Sequence, residues 1–212
     1  MQMVSFPVLD HGVRRVVQSG NSSDLVSILD IDVNLAIWER NLEPPVRGYI
    51  QELIHSHKFS TFRAEAEVLD PEFRFSILPE FVGKEEFIKD LRFLYSKMVQ
   101  ISGNLSPSLH LCKIYRTQCP LFHVDFNHLR LLSTLSGPGT VWIPNESVDR
   151  SHLGCGRNDH IWVGERIQRE IKSESVAILK GEKFPGNQGF GIVHKSPEIS
   201  GNTPRLFLRI ES

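Results

Sequence analysis

From Ser108 onward the chain breaks into short apolar runs: "LHLCKIYR", "LFHVDF", "LRLLSTL", "TVWIP", "SVAILKG", "FGIVHKS" and "RLFLRI". Turn-forming residues separate them, most clearly "SGPGT" at Ser136 to Thr140, where Pro and Gly allow the chain to reverse. Seven such runs in about a hundred residues leave no room for the helical crossovers that a parallel sheet requires. The pattern predicts an antiparallel sandwich or barrel over residues 108–212.

The preceding hundred residues read as helical. "NSSDLVSIL" places Ser and Asp at a helix start, and "EPPVRGYIQELIHS" opens with prolines suited to a first turn. In "GKEEFIKDLRFLYSKMVQIS", Phe87, Leu91, Leu94, Met98 and Ile101 recur at spacings of three and four, with Lys84, Glu86, Lys89, Asp90 and Lys97 opposite. That apolar face needs a partner. The expected organisation is a helical region over 1–107 packed on a β core over 108–212, together one compact α+β unit. A polar insertion from Asn145 to Ser175 interrupts the strands, and "GERIQREIK" within it is expected to form a short helix.

Composition excludes several classes. The 24 Lys and Arg nearly balance 25 Asp and Glu, so no overall field draws a polyanion or a lipid surface. No nucleic-acid partner is expected. The start "MQMVSFPVLDHGVRRVV" lacks the basic, apolar and small-residue zones of a leader, and nowhere do about 18 apolar residues run uninterrupted. Three cysteines without tight paired spacing suggest reduced thiols, and with them a cytoplasmic location.

Chemistry enters at "PLFHVDFNHLRLL". In a strand, residues two apart point the same way, so His123 and Asp125 share a face. Imidazole and carboxylate converging in this way are two members of a 2-His-1-carboxylate facial triad, which leaves positions on a ferrous ion open. With nine histidines and nine aspartates, chance alone supplies roughly 0.4 such pairs, so the pair needs support. A third ligand on the same sheet face is available in His194 of "GFGIVHKSP", preceded by glycines that permit close approach. Eleven residues further, in "RLFLRIES", Arg205, Phe207 and Arg209 alternate with Leu206, Leu208 and Ile210. If the leucine side is covered by the helical region, the arginines face an interior cavity and call for an anion, most naturally a dicarboxylate.

This order of H-x-D, distal His and Arg on antiparallel strands resembles the iron(II)/2-oxoglutarate-dependent oxygenases of the double-stranded β-helix (jelly-roll) fold, over about Leu109 to Ile210. More closely, "FHVDFNHLRLLSTLSGPGTVWIPN", "VDR", "VAILKGEKFPGN" and "GIVHKSP" are similar to a bacterial family known as domain of unknown function 1826. An aromatic commonly stands there in place of Leu135 and an acid in place of Val141. The resemblance implies that His123, Asp125 and His194 bind Fe(II) and that Arg205 pairs with the far carboxylate of 2-oxoglutarate. Arg209 becomes a second contact or a clamp for an anionic substrate, and Thr134 or Tyr115 a hydrogen-bond donor to the cosubstrate. The implied activity couples dioxygen and decarboxylation of 2-oxoglutarate to oxidation of a small or peptidic substrate. The family's genes often lie near zinc-homeostasis loci, which implies the alternative of a non-catalytic metal-binding protein with the same ligands. A cupin-like metalloenzyme without 2-oxoglutarate is a weaker third reading.

Other features weigh less. Cys112, Cys119, His152, Cys155 and His160 lack the knuckle spacing of a structural zinc site. "FPGNQGFG" carries neither phosphate-binding glycine motif. Trp142 and Trp162 are candidates for the mouth of a cavity, His128 is expected in a turn, and Asn145, Asp149 and Arg150 could shape a lid.

Overall fold

The computed structural model describes residues 14–73, 75–201 and 204–212. The leader-free reading of the N-terminus falls largely on residues 1–13, outside the described residues. The elements, in chain order, are β1 (Arg15–Ser19), β2 (Val33–Trp38), α1 (Pro44–His55), β3 (Thr61–Ala64), α2 (Lys84–Ser102), β4 (Ser108–Ile114), β5 (Leu129–Ser136), β6 (Val141–Trp142), β7 (Arg169–Glu170), β8 (Val176–Lys180), β9 (His194–Lys195) and β10 (Arg205–Glu211). Short 3-10 turns fill some of the connections, the longest being Ser22–Leu29, whose Asn21 side chain accepts from the Ser23 amide.

The strands form two sheets. The larger has seven strands in the order β1-β2-β8-β5-β10-β4-β3, antiparallel except for the β1–β2 pair; the smaller has the order β7-β6-β9. Residues 1–107 are therefore not simply a helical region, as the sequence pattern suggested, because β1, β2 and β3 join the large sheet beside strands from the second half. The physical reason is burial on both faces. "VNLAIW" in β2 is buried along nearly its whole length, so it carries no alternation to read.

The helices cover one face of this sheet. Phe87, Leu91, Leu94, Tyr95 and Met98 of α2 are fully buried and join Tyr49, Ile50 and Leu53 of α1 against Leu129, Leu131, Leu206, Leu208 and Ile210. Each such side chain contributes about 1.5–3 kcal/mol on removal from water. The leucine side of β10 is thus covered from outside, as its alternation required. A second apolar cluster, with Leu132, Ala177 and Leu179 from the large sheet and Trp142, Ile171 and Ile192 from the small sheet and its flanks, lies between the two sheets. No helix among the described residues is long and apolar enough to cross a membrane.

"GERIQREIK" does not form a helix. Arg169 and Glu170 pair with β6, and Ile171 donates to the Thr140 carbonyl and is buried between the sheets. A Cβ on Gly139 would come within 1.8 Å of the Ile171 carbonyl oxygen, so the pairing depends on a glycine there.

Lys180 is a buried cation outside the site. Its ammonium donates to the Asp30 carbonyl at 2.7 Å and sits 4.5 Å from the Phe184 ring centroid. Burial pushes its pKa down to about 8, with Arg14 adding to the effect and Asp30 and Asp32 opposing it. Between about pH 8 and the ordinary lysine value, the unfolded chain holds the proton that the folded one has released. Folding stability therefore rises with pH across that window, by up to about 3 kcal/mol. Lys180→Met is expected to raise stability at pH 7 and to flatten this rise; urea unfolding at a series of pH values from 7 to about 11 measures both.

Candidate metal and anion site

The stretch containing His123 and Asp125 is extended but pairs through a single residue. His123 and His194 exchange both backbone hydrogen bonds, at 3.0 and 2.9 Å. Alternation survives all the same: Phe122 and Val124 enter an apolar cluster with Ile143 and Val193, while His123 and Asp125 turn the other way. The chain beyond is held by the 181–183 turn, which donates to the carbonyls of Asp125, Asn127 and His128. Close approach of Gly191 matters here, since a Cβ would lie 2.8 Å from Glu182 Oε1 and 3.2 Å from Val124 Cβ.

His123, Asp125 and His194 converge, offering one ligand atom each within 4.8 Å of one another; among the described residues this is the group of His, Cys, Asp or Glu side chains so gathered. Asp125 Oδ1 lies 3.9 Å from His123 Nε2, and Oδ2 lies 3.5 Å from His194 Nε2. The tautomers follow from the other ring nitrogens. His123 Nδ1 faces the Leu121 carbonyl at 3.0 Å, and His194 Nδ1 faces the Ile192 carbonyl at 3.1 Å. A carbonyl only accepts, so both Nδ1 atoms carry the hydrogen and both Nε2 atoms present lone pairs. Burial pushes the His194 pKa down to about 4, with His123 adding and Asp125 opposing, so that imidazole is neutral at pH 7. Asp125 Oδ2 is buried without a hydrogen-bond partner. A buried, unpartnered carboxylate oxygen beside the lone pair of His194 Nε2 is costly in isolation and suits a divalent cation.

Asp125 is steered by a residue the sequence reading missed. Arg130, on β5, donates from Nη1 to Asp125 Oδ1 at 2.5 Å and from Nε to Glu211 Oε1 at 2.7 Å. Its signal lay in register: Arg130, Leu132 and Thr134 share a face, opposite Glu211, Arg209 and Phe207 of β10. Arg130→Gln is expected to lower metal affinity about tenfold while the protein stays folded, checked by calorimetry with Mn(II).

Arg205 is 2% exposed and donates to Thr134 Oγ1 at 2.7 Å and to Thr140 Oγ1 at 2.8 Å. Its guanidinium also stacks 4.2 Å from the Phe207 ring centroid. Burial pushes its pKa down to about 10, opposed by Glu170, which leaves it charged at pH 7. Among the described residues it has no carboxylate ion-pair partner. Arg130 touches Asp125 and Thr134 touches Arg205, four residues apart on one strand or about 13 Å along it. A cavity of about 70 Å³ spans this floor, with His123 and His194 toward one end and Thr140 and Arg205 toward the other.

Arg209 lines the same cavity. Tyr115 does not: it is exposed beyond the end of β4. Thr134 lies beneath the cavity, accepting from Arg205. His128 lines a separate, largely apolar cavity. Cys112, Cys119, His152, Cys155 and His160 form no shared cluster among the described residues. Trp142 is buried between the sheets, and Trp162 packs edge-on against Phe122 with ring centroids 5.7 Å apart. Asn145 bonds Asn34, and Arg150 bonds the Gly191 carbonyl, so these residues tie the insertion to the body.

Residues 19–211 match a family described as "Protein of unknown function (DUF1826)". The chain belongs to that family. A search of curated proteins finds no match. Among solved structures, this DUF1826 chain is similar to dioxygenase for auxin oxidation 1 from Arabidopsis thaliana in complex with 2-oxoglutarate, with TM-score 0.50 and 9% identity over 93% of this chain and 91% of that one. It is also similar to a full-length Neurospora crassa protein in complex with alpha-KG and thymine, with TM-score 0.50 and 10% identity over 96% and 86% of the two chains. At these identities the likeness is one of fold.

Proposed function

We propose that the protein is an iron(II)/2-oxoglutarate-dependent oxygenase on a double-stranded β-helix, acting on a small or peptidic substrate. The observation that carries the reading is the orphaned Asp125 Oδ2 beside the His194 Nε2 lone pair, with His123 Nε2 across the same carboxylate and a buried Arg205 without a carboxylate partner at the other end of the cavity. His123, Asp125 and His194 would hold the iron, and Arg205 the distal carboxylate of 2-oxoglutarate. When bound, iron with dioxygen and 2-oxoglutarate supplies an oxidant strong enough for C–H bonds.

The chain's own contribution is orientation and exclusion of water. The Leu121 and Ile192 carbonyls fix both imidazoles with Nε2 inward. Arg130 occupies Asp125 Oδ1 and leaves Oδ2 for the metal. Thr134 and Thr140 hold the Arg205 guanidinium in place, so binding the dicarboxylate requires little ordering of that side chain. Leu132 and Phe207 keep the space between dry.

Calorimetry tests the reading. Mn(II)-loaded protein is expected to bind 2-oxoglutarate, and metal-free protein to bind it far more weakly, because one carboxylate then lacks its partner. If Zn(II) binds tightly at the three ligands and 2-oxoglutarate fails to bind with any divalent metal, the protein is a metal-homeostasis factor and not an oxygenase.

A further inference from the structure

The cavity is more cationic than one dicarboxylate accounts for. Three arginines line it, Arg130, Arg205 and Arg209, and none of its lining residues is a carboxylate. Asp125 and Glu211 adjoin it, but Arg130 takes both, with contacts of 2.5 Å to Asp125 and 2.5 Å to Glu211. Arg209 is left with Glu211 Oε2 at 3.9 Å, too far for a hydrogen bond, and its Nε is buried with no hydrogen-bond partner. Lys195, next to His194 on β9, turns the other way, with its ammonium 4.8 Å from the Phe122 ring centroid, and does not add to the cavity's charge.

Position separates Arg209 from Arg205. Arg209 lies four residues along β10, about 13 Å at the backbone, toward the end where Arg130 meets Asp125. It stands opposite His110 of β4, and beyond β4 the same face continues through Arg63 of β3. There the apolar packing between the sheets, which rests on β2, β8 and β5, has ended, and the side chains become half-exposed and then exposed. Arg209 therefore sits where the covered cavity opens.

We propose that the primary substrate carries an anionic group, a carboxylate or a phosphate monoester, held by Arg209 at the open, β4-facing side of the metal cavity. The proposal rests on the oxygenase reading for its assignment of Arg205 to the cosubstrate. The Arg209 Nε, buried without a hydrogen-bond partner, is satisfied when an anion arrives, so the site discriminates against neutral analogues.

The test titrates Mn(II)-loaded protein saturated with 2-oxoglutarate against isobutyrate, methyl phosphate and the neutral isobutyramide, following heat. One or both anions are expected to saturate a site that the amide does not, and the tighter of the two identifies the substrate's group. Arg209→Gln is expected to weaken that anion about tenfold, with 2-oxoglutarate affinity changed less than about twofold. The proposal is overturned if neither anion binds better than the amide, or if Arg209→Gln weakens 2-oxoglutarate as Arg205→Gln does. Failure of the oxygenase reading shows separately, as no binding of 2-oxoglutarate by wild-type protein; the anion titration then runs on metal-loaded protein alone and reads Arg209 by the same criterion.

Discussion

His194→Ala is expected to weaken divalent-metal binding by about 100- to 1,000-fold and to abolish turnover, while His128→Ala leaves both unchanged. The estimate takes an apparent binding free energy of about 10–16 kcal/mol for a four-ligand site and assigns about a quarter to each ligand. The loss comes from the geometry. His194 is buried and neutral, with its Nδ1–H committed to the Ile192 carbonyl, so its Nε2 lone pair is already aimed where Asp125 Oδ2 lacks a partner. Alanine removes that lone pair and leaves the carboxylate oxygen still orphaned. His128 is the matched control, three residues after Asp125 but lining a different cavity. Mn(II) calorimetry, with far-ultraviolet circular dichroism to show that each variant is folded, measures the contrast.

Arg205→Met is expected to leave metal affinity unchanged, weaken 2-oxoglutarate by at least about 100-fold and stabilise the ligand-free protein. Truncating one partner of a buried charged hydrogen-bonded pair typically costs about 2–5 kcal/mol of binding, which spans roughly 30- to 4,000-fold. The stability effect has the opposite sign. Arg205 is 2% exposed, unpaired with any carboxylate among the described residues, and lowered to about 10 by burial. The folded, ligand-free state therefore carries a charge it does not neutralise, and an apolar side chain of similar length relieves that cost. A purely structural arginine would behave otherwise, because its removal would destabilise the fold and leave 2-oxoglutarate binding intact. Thermal unfolding and 2-oxoglutarate calorimetry on the same variant separate the two roles.

What the sequence made legible was whatever depends on alternation. Period two placed Arg205, Phe207 and Arg209 on one side of β10 and the leucines on the other, and the structure has that arrangement. Period three-to-four marked α2 and its buried face. The pairing of His123 with Asp125 on one side of the chain also followed from spacing, even though "LFHVDF" bridges its partner at one residue instead of forming a full strand. What stayed hidden depends on partners distant in the chain. β2 is buried on both faces and shows no period, and β3 has only four residues. "GERIQREIK" has helical composition but is held extended by β6. Arg130 looked like a polar interruption in an apolar run, and its role appears only once Asp125 and Glu211 are folded against it.

The most direct measurement is an anaerobic titration of metal-free protein with Fe(II) and then 2-oxoglutarate, watched by visible absorption. Iron(II) and 2-oxoglutarate, if held by His123, Asp125, His194 and Arg205 as proposed, would give a weak charge-transfer band that appears only when both are present. The band should vanish in His194→Ala and require far more 2-oxoglutarate in Arg205→Met. A band of undiminished intensity in His194→Ala, or none in wild-type protein with Fe(II) demonstrably bound, would contradict the account.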